Sequence, residues 1–330
     1  MAELINGYEL LKPFQNQDAG FSRWTMAFKN AEMFFLKEFI SPKYPDQSTL
    51  TDNLRNTRIK ECKTFEEEKS RLFREINKAS DGNLVRITEF FRADARYYLT
   101  TEWIKGERLS FTQISRMDMQ DKLILCMTAA HALAGLHAAN IAHSDIKETN
   151  VLVRRTALGK PVAKIIDFGC SFFVDDPPMD EDDLGGDQVY LSPEACLFFN
   201  GEEVRLSGKM DVFALGLLFH QYMTGDLPYF DKSEYDYAHE AVLDGYTLRA
   251  DTADIPFTIG AIIEKMLLQD PEDRISMQEV YFLLSAYYKK MYKGEDTESW
   301  RPEDIRAEKP TVRSSKLKMS KDFFQSGGDL

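Results

Sequence analysis

The apolar residues of this chain change their period once, and that change constrains the fold more than any single residue does. Over the first hundred residues, short apolar runs alternate with turn signals: Tyr8 to Phe14, Arg23 to Phe28, Met33 to Phe39, Val85 to Phe91 and Tyr97 to Trp103. Runs of this length between polar turns predict five strands. Between the third and fourth, Ser41 to Lys63 is polar, carries Pro42 and Pro45, and reads as a linker. After it Phe65, Leu72, Ile76 and Ala79 recur at roughly helical spacing, which predicts one helix crossing a small sheet. From Asp118 to Ala139 the pattern turns long, Ala-rich and helical, and a loop and two short strands around Val151 and Ile165 follow. Helices are then expected over Lys209 to Met223, Ser233 to Val242, Phe257 to Leu268 and Ser276 to Lys290. A strand-rich front and a helix-rich back imply an α+β chain of two lobes, joined near Trp103 to Gly106.

Composition narrows the partners. The 330 residues are 43% apolar, enough to bury a core, and carry 41 Lys plus Arg against 54 Asp plus Glu, a net charge of −13. Binding along a phosphate backbone needs clustered cations, so this balance argues against nucleic acid and favours basic partners. The longest apolar candidate, Val212 to Phe219, is far too short for a bilayer, so no membrane insertion is expected. Met1 to Leu11 contains Glu3 and Glu9 and no basic segment followed by an apolar stretch, so no secretory signal is read there. Cys62, Cys126, Cys170 and Cys196 are widely spaced, giving neither a metal-ligand pair nor a disulfide framework. A reducing, cytoplasmic location is the expectation.

The segment richest in chemistry is His143-Ser144-Asp145-Ile146-Lys147-Glu148-Thr149-Asn150-Val151-Leu152-Val153, followed by Ile165-Ile166-Asp167-Phe168-Gly169. Phosphoryl transfer requires an acid to orient the attacking hydroxyl and oxygen ligands for the cations that neutralise the phosphates. Asp145, Asn150 and Asp167 can supply these, and Lys147 would project beside Asp145 as a point charge toward the transferred phosphate. A lone Asp-Phe-Gly is more often a turn, and a lone strand Lys an edge charge.

In order, these residues resemble the catalytic loop and metal-binding motif of the eukaryotic-type protein kinase superfamily. Phe34-Phe35-Leu36-Lys37 resembles the third-strand motif ending in the phosphate-binding lysine, and Ser192-Pro193-Glu194 stands where that family has Ala-Pro-Glu. Asp211-Val212-Phe213-Ala214-Leu215-Gly216 and Arg274 follow, with Glu194 and Arg274 implied as a structural ion pair. The likeness runs from about Tyr8 to Lys290. It implies a two-lobed kinase fold, with N-lobe 1–104 and C-lobe 105–290; beyond it the composition of 291–330, with a basic stretch from Lys309 to Lys321, reads as a charged tail expected to be flexible. The implied activity is ATP-dependent transfer of the γ-phosphate to Ser or Thr of proteins, with Mg²⁺ or Mn²⁺. Lys37 would position the α and β phosphates, Asp145 would orient the hydroxyl, Lys147 would steady the γ-phosphate, and Asn150 and Asp167 would bind the metal. The resemblance further implies Glu68 as the helix partner of Lys37, in competition with Glu66, Glu67 and Glu75. It implies Thr101 as a small gatekeeper, adenine contacts from the Glu102 carbonyl and the Ile104 amide, and Leu152 as the purine floor.

The chain departs from that pattern in three places. In the phosphate-covering turn, Gln17, Ala19 and Ser22 replace three glycines, Gly20 lies between them, and Phe21 keeps the aromatic tip. A Cβ there hinders close approach of backbone amides to phosphates, so a looser grip is expected. Trp24 and Phe35 stand at two roof positions that usually hold Val and Ala, and either stack on an adenine or fill its place. Ser144 replaces the arginine that receives an activation-loop phosphate, and Asp167 to Glu194 holds nine carboxylates and no Lys or Arg. This loop is expected to order without phosphate, or through a partner, and its acidity to favour basic substrates. Asp187 is expected to pair with Lys147, and Cys170 to be buried and inert. The altered turn and the aromatic roof give the alternative of a pseudokinase, a nucleotide-binding or scaffold module without turnover. A third reading is transfer to a small molecule, or of a different part of an inverted nucleotide. Oligomeric state is not legible.

Overall fold

The computed structural model describes residues 3–16, 22–46, 51–180, 184–251 and 253–294. Six strands form one antiparallel sheet: β1 (Leu4–Ile5), β2 (Tyr8–Leu10), β3 (Ser22–Lys29), β4 (Glu32–Phe39), β5 (Ile87–Ala93) and β6 (Arg96–Glu102). Their spatial order is β1-β2-β3-β4-β6-β5. The five expected runs are present, and the sixth strand, Leu4–Ile5, is a two-residue edge too short to leave a periodic signal. In β3 and β4 the register sets Trp24 opposite Lys37 and Met26 opposite Phe35, so Trp24 and Phe35 become diagonal neighbours on one face.

Helix α1 (Asp52–Ala79) crosses this sheet and begins well inside the segment read as a linker, which corrects that reading. From Asp52 to Lys63 its only apolar residues are Leu54, Ile59 and Cys62, of which only Cys62 is buried, so no apolar stripe announced these turns. The second half buries Leu72, Phe73 and Ile76. Phe65, Phe73, Phe90, Phe39 and Tyr97 lock helix to sheet through edge and tilted ring contacts of 5.1–6.0 Å.

Among the described residues beyond Glu102 lie the helices α2 (Phe111–Ser115), α3 (Met119–Ala138), α4 (Pro193–Phe199), α5 (Lys209–Thr224), α6 (Ala238–Leu243), α7 (Phe257–Met266) and α8 (Met277–Lys293). Helix α5 is buried along nearly its whole length, which explains its apolar character all round. The short helices α2 and α4 are held by their caps: Ser110 and Gln113 make a reciprocal capping box, and Ser192 accepts from the Ala195 amide with Pro193 in the first turn. Small strand pairs lie between these helices, β7 (Ile141–Ala142) with β10 (Phe172–Phe173) and β8 (Val151–Arg155) with β9 (Pro161–Ile165). Backbone bonds of 2.8 Å from Val85 N to Ile165 O and from Ile165 N to Asn83 O tie the sheet to the helical half behind the cleft. Glu107 and Val153 exchange a second pair at the front, of 2.8 and 3.0 Å. Among the described residues no helix is long and apolar enough to cross a membrane.

Candidate active site

The catalytic-loop candidate begins where β7 ends, and Asp211 in the first turn of α5 fixes it. Asp211 accepts from the backbone amides of His143 and Ser144, both at 2.8 Å, and bonds His137 Nε2 at 2.9 Å. Burial pushes the Asp211 carboxyl up, but the His137 bond and these neighbours outweigh it and hold the pKa below the usual carboxylate range. This anchoring lets Ser144 keep a φ of +73°, a left-handed conformation that costs free energy in a non-glycine residue. His143 donates from Nε2 to Ile166 O at 3.0 Å and packs edge-on against the buried Phe168 ring at 5.2 Å, which joins the loop to the Asp167 turn.

Asp145 is held on one side only. Its Oδ2 accepts from Asn150 Nδ2 at 2.9 Å and from Lys147 Nζ at 3.0 Å, while Asn150 also bonds the Asp145 carbonyl at 2.8 Å. Its Oδ1 is buried with no hydrogen-bond partner among the described residues. Burial raises the Asp145 pKa, against the opposing pull of Lys147. Lys147 itself is pushed down by burial, yet Asp145 more than compensates and its pKa ends above the usual lysine range. The pairing expected between Asp187 and Lys147 is corrected: Asp187 Oδ1 accepts from the Val189 amide at 3.0 Å and acts on Lys147 only through space.

Asp167 has a φ of +66° and accepts at Oδ1 from Lys37 Nζ at 2.5 Å and from Gly169 N at 3.2 Å. Burial would raise its pKa, but the Lys37 ammonium holds it below the usual range; in return Asp167 lifts Lys37 against its own desolvation. Gly169 lies close under the pair: a Cβ there would stand 2.5 Å from Lys37 Nζ and 3.2 Å from Asp167 Oδ1, so a side chain would push the ammonium off its present place. Glu68 lies outside this contact. It is exposed on α1, and the helix face turned to the site carries Lys69, whose Nζ donates to Gly169 O at 3.2 Å. Three neighbouring glutamates drew the sequence reading one residue away from this lysine.

Between the sheet and the helical half lies a cavity of about 380 Å³, in the range of small-ligand sites. It brings together Trp24, Phe35, Lys37, Thr101, Glu102, Ile104, Leu152, Asn150 and Asp167, all singled out from sequence. The indole of Trp24 and the ring of Phe35 stack with centroids 5.3 Å apart and planes 24° from parallel. They form a paired aromatic roof, and open space remains beneath it. The Glu102 carboxylate is tied to Arg86 N and Lys164, each at 3.0 Å, and its backbone amide donates to Arg86 O at 3.0 Å. Ser22 is buried at the start of β3, and Ala19, Gly20 and Phe21 lie outside the described residues. Val85, Leu99, Trp103, Thr149 and Arg108 also line the cavity, though the sequence assigned them no role there. Val85, Leu99 and Trp103 lie within the strand runs read from sequence, whereas exposed Arg108 left no signal. Among the described residues no three His, Cys, Asp or Glu side chains cluster as a metal cage. Two oxygen donors on one cavity wall, Asn150 and Asp167, instead fit a hard divalent cation whose remaining ligands are phosphate and water.

Glu194 and Arg274, the expected structural pair, meet in a buried two-pronged contact of 2.6 and 2.9 Å. A sheet-rich lobe over a helical one, a cleft between them and this order of polar residues match the two-lobed kinase fold. Comparison with known proteins agrees: the protein kinase domain matches residues 52–282, and the chain belongs to that family. The match starts with α1, so β1 to β4, with Lys37 and the aromatic roof, fall before it. The chain is 31% identical over 208 residues to the serine/threonine-protein kinase ppk6 of Schizosaccharomyces pombe, covering 61% of this chain and 24% of that protein. It is 27% identical over 246 residues to the serine/threonine-protein kinase tousled-like 2 of Mus musculus, covering 68% and 33%. With serine/threonine-protein kinase Pkn1 of Myxococcus xanthus the identity is 29% over 161 residues, covering 48% and 22%. The chain thus spans about a fifth to a third of the length of these relatives.

Proposed function

We propose that this chain is an active serine/threonine protein kinase that moves the γ-phosphate of ATP to hydroxyls of protein substrates. The observation that carries the reading is Asp145: one carboxylate oxygen is fully engaged by Asn150 and Lys147, and the other is buried and lacks a partner. An unsatisfied buried acceptor costs on the order of 1–3 kcal/mol, and a substrate hydroxyl donating to it would recover that. The raised pKa suits a group that takes a proton as the oxygen attacks.

The roles divide as the sequence suggested. Adenine would lie beneath the Trp24 and Phe35 roof, above Leu152 and against the backbone of Glu102 and Ile104, with Thr101 behind it. Lys37 would turn from Asp167 to the α and β phosphates, and Lys147 would meet the γ-phosphate. Asn150 and Asp167 would hold Mg²⁺ or Mn²⁺, which supplies charge neutralisation on the phosphate oxygens. The two lobes, 1–104 and 105–290, close on either side of this cleft, and the acidic loop before Glu194 favours basic substrates. The protein works without membrane insertion or nucleic acid, in the cytoplasm.

A binding module without turnover draws support from one contact, the direct Lys37 to Asp167 bond, which engages two groups that phosphate and metal would otherwise use. Transfer of labelled γ-phosphate from ATP to a basic generic protein, with Mg²⁺ and with Mn²⁺, separates the two. The kinase reading expects label on Ser or Thr that disappears in Asp145→Asn and Asp167→Asn. Nucleotide binding with no label on any protein would establish the binding module.

A further inference from the structure

Along α1 the residues facing the sheet and the site recur at Cys62, Phe65, Glu66, Lys69, Leu72, Phe73 and Ile76, a helical stripe with two charged members: Glu66, which accepts from the Tyr97 hydroxyl at 2.7 Å, and Lys69, which is turned to the site. Lys69 is half-buried, and its ammonium reaches the Gly169 carbonyl at 3.2 Å. The amide of the same residue donates to Asp167 Oδ1 at 3.2 Å, and Asp167 holds a left-handed φ. Two residues beyond Lys69, the Arg71 guanidinium lies 4.3 Å above the Phe173 ring, so α1 touches the same segment again in β10. Carboxylates cannot make the first of these contacts, because a backbone carbonyl only accepts.

We propose that Lys69 is a positioning residue for the metal-binding turn: it fixes Asp167 through the Gly169 peptide, in place of a helix carboxylate acting through Lys37. This inference rests on the kinase reading for its consequence, though not for the contact itself. With Lys69 on the carbonyl and Gly169 N on Oδ1, the Asp167 carboxylate keeps its aim when Lys37 leaves it for phosphate. A metal ligand whose backbone is tethered in this way binds its cation with less reordering.

The test compares the full chain with Lys69→Met, which keeps length and loses the donor, Lys69→Arg, which restores it, and Lys69→Glu, which opposes the carbonyl. Amide exchange over residues 168–173, without nucleotide, should accelerate about tenfold in the Met variant, be faster still in the Glu variant and return toward wild type in the Arg variant. The thermal midpoint should move little in all three. ATP affinity with Mg²⁺ should fall about tenfold in the Met variant, the scale of a lost supporting contact at a metal ligand, while affinity in EDTA falls less. Unchanged exchange in the Met variant, equal loss with and without Mg²⁺, or a Glu variant that binds Mg·ATP better than wild type would overturn the proposal. If exchange responds as expected but the wild type binds no nucleotide, the tether stands and the kinase reading fails.

Discussion

Glu194 and Arg274 lie 80 residues apart in sequence and meet as a buried fork, Nη1 to Oε1 at 2.6 Å and Nη2 to Oε2 at 2.9 Å. Arg274 also donates to the carbonyls of Leu268, Lys209 and Gln269, so the guanidinium pins α4, α5 and the loop after α7 together. Removing one partner leaves the other charge buried without its counter-ion. Glu194→Ala and Arg274→Ala should therefore each lower unfolding stability by about 3–5 kcal/mol. Arg274→Lys should recover little, since an ammonium cannot reproduce the fork. Urea unfolding of the three variants checks this.

His239 in α6 predicts a pH effect of defined sign. The ring is 2% exposed, its Nδ1 has no hydrogen-bond partner among the described residues, and burial lowers its pKa from 6.5 to about 4. Above pH 6.5 the folded and unfolded chains both hold it neutral. Below that pH the unfolded chain takes up a proton that the folded chain refuses until about pH 4, so stability drops across this window by roughly 3 kcal/mol, at about 1.4 kcal/mol per pH unit. His239→Asn and His239→Leu should flatten this part of the stability profile, measured by urea unfolding from pH 7 to pH 4.

The stacked Trp24 and Phe35 predict that the roof contributes to nucleotide binding. An aromatic stacking contact contributes about 0.5–1.5 kcal/mol beyond area, so Trp24→Val should weaken ATP binding roughly threefold to tenfold, read by calorimetry. If the roof instead fills the site, the variant would bind more tightly than the wild type.

Cys170 lies against Gly185, where a Cβ would come within 2.2 Å of its sulfur, and burial pushes its thiol up to about 11. At pH 7 only roughly one molecule in ten thousand would carry the thiolate, the reactive form. Cys170 is half-buried, not buried as the sequence suggested, so thiol reagents should modify it slowly in the native protein for want of thiolate rather than of access, and Gly185→Ala should speed that reaction by forcing the two apart. Mass mapping of the labelled cysteine reads both.

The legible parts of this molecule are those in which chemistry and neighbourhood coincide along the chain. Asp145, Lys147, Asn150 and Asp167 lie within 23 residues, in loops whose polar side chains leave short strands, so their assembly could be read before the fold was known. The long buried helices were legible for the same local reason. Lys69 was not, because α1 presents three consecutive glutamates beside it, and only the position of the sheet decides which side of the helix faces the cleft. The first three turns of α1 carry almost no apolar stripe. Two short helices, α2 and α4, were signalled only by Ser110 with Gln113 and by Ser192 with Pro193, capping patterns that apolar periodicity does not register. The pairing of Lys37 with Asp167 depends on two elements 130 residues apart and became visible only in three dimensions.

The central claim is that Asp145, with its one unpartnered oxygen, drives phosphate transfer. The most direct measurement follows ADP formation and the protein's gain of phosphate together, for wild type and Asp145→Asn, at saturating ATP and Mg²⁺. The account predicts ADP and phosphoserine or phosphothreonine in equal amounts from the wild type. It predicts a loss of both by several orders of magnitude in the variant, with ATP binding retained. Equal turnover by the two proteins, or ATP bound by the wild type with neither ADP nor phosphoprotein formed, would contradict it.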